Sequence, residues 1–224
     1  MAHRANRSGL WAHVHIKICT CLEGTTADYF FAGSRGVVSF HTMRIVGGHA
    51  RGCTLAGPGN KKIRPTPDKV RQALFNMIEV EGDSFCDLFA GTGAIGCEAL
   101  SRGAVSVTIV EHHLPTVVII RQNIEKVSKM LPTPAQTRVV KQDAVEFLRG
   151  CGQAGNRFDF IYCDPPYDWD GRSALLTAAH NARALLPDGI FILEMPAKSL
   201  QPPEFEPIKE KRYGDTKLLF YSFG

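Results

Sequence analysis

The chain reads Phe85-Cys86-Asp87-Leu88-Phe89-Ala90-Gly91-Thr92-Gly93-Ala94-Ile95-Gly96 where an apolar run gives way to a helix-like pattern. Its three glycines satisfy the spacing GxGxxG, which marks the turn between the first strand and the first helix of a nucleotide-binding fold. Glycine there allows a tight turn and lets the backbone approach a bound cofactor. Taken alone, the pattern fits a nicotinamide-dependent oxidoreductase as well as other nucleotide-binding enzymes.

Strand-like and helix-like segments alternate beyond this loop. Short apolar runs occupy 84–89, 105–110, 137–141, 158–163 and 189–194, and helix-like stretches lie near 94–102, 114–130, 143–149 and 172–186. Near-continuous apolar strands between amphipathic helices are typical of a parallel sheet covered on both faces. The end of the chain differs, because 206–212 and 217–222 flank a turn and predict an antiparallel hairpin. The expected fold is therefore α/β and Rossmann-like, mostly parallel, with that hairpin at its C-terminal end.

Composition limits the classes of protein to which this chain can belong. The chain has 224 residues, 44% of them hydrophobic, and a formal net charge of +4, so we expect one sizeable core and a mild basic excess. No apolar stretch reaches the length of a membrane-spanning helix. The seven cysteines form no CxxC pair and no cluster with metal-ligand spacing. We therefore expect reduced thiols, a cytoplasmic location and no metal.

The first 42 residues differ in composition from the rest of the chain. Residues 1–22 contain arginine and lysine but no acid, and 23–41 show no sustained periodicity. An organellar targeting segment is one interpretation, since such segments are rich in arginine and poor in acids. The other, which we favour, is translation from an upstream start, with Met43 opening the functional chain. We accordingly predict an extension at 1–42, a basic hairpin or arm at 43–66 and the main α/β domain at 67–224.

Basic residues are concentrated just after this extension. Residues 44–71 carry seven lysines and arginines against the single acid Asp68, and glycines punctuate short strand-like pieces. Such a segment is typical of a surface that contacts nucleic-acid phosphates. The residues expected to bind RNA are Arg44, Arg51, Lys61, Lys62, Arg64 and Arg71. The alternatives are a solvated charged face and, for Arg64 and Arg71, a role in bracing the crevice at the strand ends.

Acidic residues stand where the strands end. Asp87 lies in the turn four residues before Gly91, Glu111 ends the second strand and Asp143 follows the third. Because the carboxyl ends of parallel strands meet at one crevice, these acids should converge there. Carboxylates near a helix start repel a pyrophosphate but attract the cationic methyl donor S-adenosylmethionine (SAM), so NAD fits poorly. The residues expected to hold SAM are Asp87, Phe89, Ala90, Gly91, Gly93, Glu111, Asp143 and Ala144.

Individual roles for two of these acids follow from their positions. Glu111 is placed to accept hydrogen bonds from ribose hydroxyls, as an acid at the end of the second strand does in nucleotide-binding folds. Asp143 is placed to accept a hydrogen bond from the adenine amino group. Each acid has a simpler alternative as a helix cap, and Asp143 in particular would cap a helix that runs through Phe147.

The fourth strand ends in Asp164-Pro165-Pro166-Tyr167. Each proline removes an N–H group and biases the residue before it toward an extended conformation, so carbonyl groups are left to accept hydrogen bonds from elsewhere. A carboxylate, such carbonyls and an aromatic ring at one strand end suit a planar base that carries an amino group. We predict that Asp164, Pro165, Pro166 and Tyr167 form the catalytic site. The alternative is an ordinary Asp-Pro turn.

These motifs together resemble one family. The stretch 85–96, continued by Glu98-Ala99-Leu100-Ser101-Arg102-Gly103-Ala104, is similar to the SAM motif of the bacterial ribosomal RNA guanine-N2 methyltransferases, which modify one guanine of 16S rRNA. Further similarity lies in 43–52, in 64–76, in the Asp164 tetrapeptide and in Glu210-Lys211-Arg212-Tyr213-Gly214-Asp215-Thr216. The resemblance therefore extends from Met43 to Gly224. Residues 1–42 have no counterpart, and His112-His113 stands where the family often has a second acid.

The resemblance implies a SAM-dependent class I methyltransferase that acts on the exocyclic N2 of a guanine in 16S rRNA. Asp164 and the Pro165 carbonyl would accept the two N–H groups of that amine, and Tyr167 would stack on the base. The implied partner is 16S rRNA or an assembly intermediate of the small subunit, and we expect a monomer. The residues alone leave three alternatives: an adenine-N6 methyltransferase of RNA or DNA with the same tetrapeptide, an NAD-dependent oxidoreductase, and a catalytically silent RNA-binding protein.

Overall fold

The structure of the chain, a computed structural model, describes residues 43–57 and 68–223. The predicted extension at 1–42 lies outside these residues. Three of the basic residues expected to bind RNA also lie outside them, namely Lys61, Lys62 and Arg64.

Helices and strands alternate along the described residues up to the last two strands. The helices are α1 (Asp68–Met77), α2 (Ala94–Ser101), α3 (Leu114–Ser128), α4 (Ala144–Ala154) and α5 (Arg172–Asn181). The strands are β1 (Ser84–Leu88), β2 (Ser106–Glu111), β3 (Gln136–Lys141), β4 (Phe158–Cys163), β5 (Leu185–Pro196), β6 (Lys209–Tyr213) and β7 (Thr216–Tyr221). The order of elements is the one that the hydrophobic pattern predicts.

These strands form one sheet in the order β3-β2-β1-β4-β5-β7-β6. The pairs from β3 through β5 are parallel, and β7 is antiparallel to both of its neighbours, β5 and β6. The prediction of a mostly parallel sheet with a C-terminal antiparallel hairpin is confirmed. The strand order reverses between β1 and β4, because the chain runs outward to β3 and returns on the other side of β1. Such a switch point opens a crevice at the carboxyl ends of the strands.

Helices cover both faces of the sheet. On one face, Phe85 of β1 packs in a core cluster with side chains of α1, α2 and α3, among them Phe75. On the other face, Leu88 packs in a second cluster with α4 and α5 side chains such as Phe147 and Leu175. The central strands are therefore buried on both sides, which explains why their sequences are apolar without alternation.

Several boundaries differ from those predicted; α5, for example, ends at Asn181 and not at 186. α4 continues to Ala154, whereas the sequence pattern predicts an end at 149. Cys151 extends the buried face of this helix, so packing outweighs the low helix propensity of the glycines within it. The helix stops where Gly155 (φ 66°) takes the left-handed conformation that commonly ends helices. β5 starts at Leu185, earlier than the pattern predicts.

Residues 43–57 form a small hairpin, called the N-terminal hairpin below. Ile45 N donates to Cys53 O (2.9 Å) and Leu55 N donates to Met43 O (2.8 Å). The side chains of all four residues are buried in the core cluster that contains α1, α2 and α3. The hairpin is therefore part of the folded core, although its arginines Arg44 and Arg51 are exposed.

Gly48 allows the N-terminal hairpin to approach the end of α2. His49 N donates to Ser101 O (2.7 Å), and Ser101 Oγ donates to Gly47 O (2.6 Å). A Cβ atom on Gly48 would lie 1.9 Å from Ser101 O, and Gly48 has a positive φ (73°). Any other residue at this position would push the hairpin away from the helix.

The described cysteines are free and buried: Cys53, Cys86, Cys97, Cys151 and Cys163. Burial is the main cause that raises the pKa of the Cys86 and Cys163 thiols well above the usual value, so these residues pack as small hydrophobes. In 43–57 and 68–223, no helix is long and apolar enough to cross a membrane. The same residues contain no group of three or more His, Cys, Asp or Glu side chains that could hold a metal ion.

Candidate active site

The glycine loop between β1 and α2 lies at the carboxyl edge of the sheet. Gly91 (φ 53°) and Gly93 (φ 74°) have positive φ, and Gly93 stands at the start of α2. Phe89 is also left-handed (φ 56°), which is uncommon for a residue with a side chain and marks backbone strain here. Gly96 serves close packing, since a Cβ there would lie 2.6 Å from Ile109 Cδ1. The loop therefore has the geometry of the nucleotide-binding turn.

Asp87 lies beneath this loop and is only 1% exposed. Its Oδ2 accepts a hydrogen bond from Gly96 N (2.9 Å). Burial, the largest cause, acts with the nearby carboxylates of Asp164 and Glu111 to raise the pKa of Asp87 to about 8, although the Gly96 hydrogen bond opposes the shift. A bound cation would offset both burial and the neighbouring acids, so this carboxyl suits a positively charged ligand.

Glu111, at the end of β2, connects two loops through its carboxylate. Oε2 accepts a hydrogen bond from Gly91 N (3.0 Å), and Oε1 accepts one from His113 N (2.8 Å). The carboxylate is therefore fixed directly beside the glycine loop. Since an ionised carboxylate offers about four acceptor positions, it retains capacity for ligand hydroxyls.

Asp143 caps the start of α4. Its Oδ1 accepts hydrogen bonds from Val145 N (2.9 Å) and Glu146 N (3.1 Å). Asp143 therefore does act as a helix cap, which was the simpler alternative for this residue. Both recorded bonds use Oδ1, so an adenine amino group at Oδ2 remains compatible with the cap. Ala144, the first residue of α4, is buried beside it.

The tetrapeptide that starts at Asp164 directly follows β4. Because β4 pairs with β1 in a register that sets Cys163 opposite Leu88, Asp164 follows its strand at the level of the glycine loop. Asp164 is partly buried, whereas Tyr167 is 42% exposed. The charge of Asp164 contributes to the raised pKa of Asp87, so the two carboxyl groups lie within electrostatic reach of each other. The loops after β1, β2 and β4 thus converge, as the strand-end acids predict.

Arg172, the first residue of α5, holds the tetrapeptide loop in place. Its guanidinium donates to the backbone carbonyl oxygens of Pro166 (3.1 Å), Tyr167 (3.0 Å) and Trp169. A planar guanidinium has donors in a fixed geometry, so three carbonyls bound to one group restrict the conformations of the loop. The tetrapeptide is therefore held rigidly at its C-terminal side.

Trp169 connects this loop to the glycine loop. Its ring meets Phe89 edge-on, with the ring centroids 5.0 Å apart, which is a favourable geometry for two aromatic rings. A Cβ on Gly171 would lie 2.4 Å from the Trp169 ring, so the ring packs directly against this glycine. The left-handed Phe89 is thereby in contact with the loop that carries Asp164.

Asn123 of α3 joins the N-terminal hairpin to the glycine loop. Its Oδ1 accepts from Ala56 N (2.7 Å), while its Nδ2 donates to Ala56 O (3.0 Å) and to Thr92 O (2.9 Å). The Thr92 hydroxyl also contacts Met43 Sδ (3.4 Å). The hairpin therefore supports the glycine loop from outside the sheet.

Arg71 requires a correction, because we expected it to contact RNA. It is 0% exposed, its Nε lies 3.6 Å from Glu98 Oε2, and its Nη2 donates to Arg44 O (2.5 Å). Glu98 Oε1 also pairs with Arg102 Nε (2.7 Å). Moving Arg71 out to a phosphate would leave a buried carboxylate poorly compensated. Arg71 instead ties α1, α2 and the N-terminal hairpin together.

The site residues predicted from the sequence omit three that the structure places here: Trp169, Arg172 and Thr216. The Thr216 hydroxyl lies 3.0 Å from the Tyr167 hydroxyl, although 49 positions separate them in the chain. Thr216 does lie in the late motif Glu210–Thr216, and that motif could have indicated it as a site residue. Nothing in the local sequence distinguishes Trp169 or Arg172 from ordinary loop and helix residues.

The fold and the site together define a class of protein. A seven-stranded sheet of this order, with β7 antiparallel beside β5 and acids around a glycine loop, is the architecture of the class I methyltransferases. The solved structure of an Escherichia coli protein, yhhF, described provisionally as a methyltransferase, has the same fold. It is 28% identical, with a TM-score of 0.67, and the match covers 80% of this chain and 97% of that one.

The chain belongs to the family described as conserved hypothetical protein 95, whose model matches residues 43–222. YlbH of Bacillus subtilis (strain 168), named provisionally as an rRNA methyltransferase, is 33% identical over 154 residues, which are 68% of this chain and 82% of that protein. The ribosomal RNA small subunit methyltransferase D of Escherichia coli (strain K12) is 39% identical over 129 residues, which are 56% of this chain and 60% of that protein. The family resemblance that the motifs indicate is confirmed.

Proposed function

We propose that this protein transfers a methyl group from SAM to the exocyclic N2 of a guanine in 16S (small-subunit) ribosomal RNA. The observation that carries the proposal is the convergence of Asp87, Glu111 and Asp164 at the carboxyl edge of the sheet. The name of the Escherichia coli relative, a ribosomal RNA small subunit methyltransferase, supports the class of substrate. The choice of guanine N2 rests on the motif resemblance.

The residues at this edge fit SAM. The positive charge of the cofactor suits the buried Asp87, and its ribose hydroxyls suit the Glu111 carboxylate beside Gly91. Asp143 would accept from the adenine amino group while it caps α4. The full set proposed to hold the cofactor is Asp87, Phe89, Ala90, Gly91, Gly93, Glu111, Asp143 and Ala144. When bound, SAM supplies an electrophilic methyl carbon.

Asp164 and the Pro165 carbonyl prepare the amine. Guanine N2 is a poor nucleophile because its lone pair is delocalised into the ring. Two acceptors that bind its two N–H groups draw the nitrogen toward a pyramidal geometry and direct its lone pair at the methyl carbon. Most of the rate enhancement then comes from positioning and electrostatics. Asp164 does not have to be a strong base, since the nitrogen becomes strongly acidic once it carries the methyl group, and its extra proton passes to solvent water.

Tyr167 stacks on the target guanine. Tyr167 is 42% exposed close to Asp164 in the chain, so it is accessible to a base that has left its helix or was never paired. Pro166 and Arg172 fix the backbone on which this ring stands. An enzyme that modifies an exocyclic amine takes the base out of the stack, which costs a few kcal/mol. A good stacking contact with an aromatic ring contributes about as much and can offset this cost.

RNA contacts come from the basic segment near the N-terminal hairpin. Arg44 and Arg51 are exposed on the hairpin and can reach phosphates. Lys61, Lys62 and Arg64 belong to the same proposal, although they lie outside the described residues. Arg71 is removed from it. The proposed partner is 16S rRNA or an assembly intermediate of the small subunit. We propose that the protein acts in the cytoplasm and as a monomer.

The test is methyl transfer in vitro, followed by nucleoside analysis of the product. Purified protein is incubated with labelled SAM and either a 16S rRNA transcript or small ribosomal subunits, and the RNA is digested to nucleosides. N2-methylguanosine is the expected product. N6-methyladenosine would replace the guanine assignment by the adenine alternative, and absence of transfer to both substrates would overturn the proposal. A thermal shift with SAM but not with NAD is expected in the same preparation.

A further inference from the structure

Thr216 stands at the edge of the site without a role in the proposed chemistry. Its hydroxyl shares a hydrogen bond of 3.0 Å with the hydroxyl of Tyr167. Thr216 is 7% exposed, whereas Tyr167 is 42% exposed. A buried, well-held hydroxyl thus meets the outer end of the ring that is proposed to stack on the base.

The sheet holds Thr216 firmly. It is the first residue of β7, paired with Pro196 of β5 on one side and with Tyr213 of β6 on the other. The preceding residue is also fixed, because Ala197 N donates to Asp215 O (2.8 Å). Thr216 therefore presents its hydroxyl from a position that the backbone pairing of three strands determines.

Tyr167 is consequently held at both ends. Its carbonyl oxygen accepts from Arg172 Nη2 (3.0 Å), and its hydroxyl meets Thr216. A tyrosine side chain has two rotatable torsions, and an anchor at the hydroxyl restricts both once the backbone is fixed. The ring keeps its orientation before any base arrives.

We propose that Thr216 is a positioning residue for methyl transfer, which orients the Tyr167 ring so that the stacked base presents its amine to the methyl carbon. This inference rests on the proposed function. A base follows the plane of the ring on which it stacks, so a tilt of Tyr167 displaces the amine from Asp164. Misplacement of reacting atoms by a fraction of an ångström is costly for a reaction that depends on alignment.

Two substitutions at one position separate the hydroxyl from the rest of the side chain. Thr216→Val keeps the shape and the strand preference but removes the hydrogen bond, and Thr216→Ser keeps the hydroxyl. We expect Thr216→Val to lower kcat about three- to tenfold, the range of one hydrogen bond, with little change in the KM values for SAM and RNA. Thr216→Ser should retain most of the wild-type kcat.

Tyr167→Phe completes a double-mutant cycle. If Thr216 acts through the Tyr167 hydroxyl, then adding Thr216→Val to Tyr167→Phe lowers kcat no further. Additive losses would overturn the inference, because Thr216 would then act by another route. A parallel fall of melting temperature and SAM affinity in Thr216→Val would also overturn it, in favour of a purely structural role.

The activity of the wild-type protein distinguishes failure of the proposed function from failure of the positioning role of Thr216. Absence of methyl transfer by the wild type contradicts the proposed function. A wild type that methylates RNA together with an equally active Thr216→Val contradicts the positioning role alone.

Discussion

Asp87 and Asp164 are neighbouring acids with different surroundings. Asp87 is buried under the glycine loop and accepts from Gly96 N, whereas Asp164 is partly exposed at the end of β4. Each carboxylate makes ionisation of the other less favourable, and a bound cation would stabilise both in their charged form. Their different burial also divides their roles, since only Asp164 can reach a base that enters from solvent.

Asp164→Asn should abolish most of the methyl transfer while SAM still binds. The asparagine oxygen can still accept a hydrogen bond but carries no negative charge, so the stabilisation of the positive charge that develops on the amine is lost, and we expect kcat to fall about 100-fold or more. The measurement is single-turnover transfer alongside a SAM titration, in which Kd should change by less than about threefold. Asp168→Asn, at an exposed acid of the same loop, is the matched control and should remain active. Turnover of Asp164→Asn close to that of the control would rule out the mechanism.

SAM affinity should rise with pH up to about 8 and then level off, following the raised pKa of Asp87. Without cofactor, Asp87 holds its proton below that pH. The bound cation lowers the pKa of Asp87, so binding releases this proton. The affinity for SAM therefore increases by at most about tenfold per pH unit. The increase stops at the pH at which the carboxyl is already ionised without cofactor. Calorimetric titrations between pH 6 and pH 9, on the order of one pH unit apart, measure both affinity and proton release.

Asp87→Asn is the control for this titration. The amide oxygen can still accept from Gly96 N, but the group no longer titrates. The variant should bind SAM more weakly and without the slope in pH. A wild-type affinity that is flat over the same range, or that falls as pH rises, contradicts the role of Asp87.

The loops after β1 and β4 form one connected unit through aromatic and backbone contacts. Phe89 meets Trp169 edge-on, and Arg172 binds three carbonyls of the loop that carries Trp169. The strained φ of Phe89 is therefore maintained by packing from the partner loop. A displacement of one loop would therefore disturb the packing of the other.

Close packing of α2 on β2 gives the next prediction. Gly96→Ala places a Cβ 2.6 Å from Ile109 Cδ1, and we expect a loss of about 1–3 kcal/mol in the free energy of unfolding. Gly150→Ala is the matched control, because no atom lies within 4 Å of its Cβ position in α4. It should raise the free energy of unfolding by about 0.5–1 kcal/mol. Urea denaturation compares the two, and equal stabilities would show that α2 is not packed as described.

The N-terminal hairpin combines a contact to the glycine loop with two exposed arginines. It contacts the glycine loop through Asn123 and carries Arg44 and Arg51 on its exposed side. The same piece of chain therefore supports the SAM loop and faces solvent with positive charge. If these arginines bind phosphates, as we propose, the RNA contact lies on the same element that supports the glycine loop.

Neutralising Arg44 and Arg51 together should weaken RNA binding and its salt dependence. Each lost phosphate contact reduces the slope of log K against log salt by about 0.7 to 0.9. Filter binding or fluorescence anisotropy over a salt series measures the slope for Arg44→Gln with Arg51→Gln. Arg149→Gln is the control, since Arg149 pairs with Glu146 on α4, which covers the other face of the sheet. A double variant with the wild-type slope would exclude the hairpin as a phosphate contact.

Much of the fold could be predicted because it depends on local patterns. Runs such as Phe158–Cys163 are buried along their whole length and therefore read as apolar without alternation. The end of α4 was wrong because Gly150 looks like a helix stop in isolation, whereas packing of Cys151 carries the helix on to Gly155. The prediction that Arg71 binds RNA was wrong for a related reason. A run of positive charges does not show which of them is buried against Glu98.

The amino-acid sequence alone was enough to define the α/β alternation, the glycine loop, the acids at the strand ends and the family. These features depend on hydrophobic periodicity, on glycine spacing and on residue types that lie close together in the chain. The contacts of Arg172 with the loop carbonyls and of Thr216 with Tyr167 required the folded structure. The Thr216 contact exists because the end of β4 and the start of β7 lie at the same edge of the sheet, with only β5 between them, and no local pattern encodes that proximity.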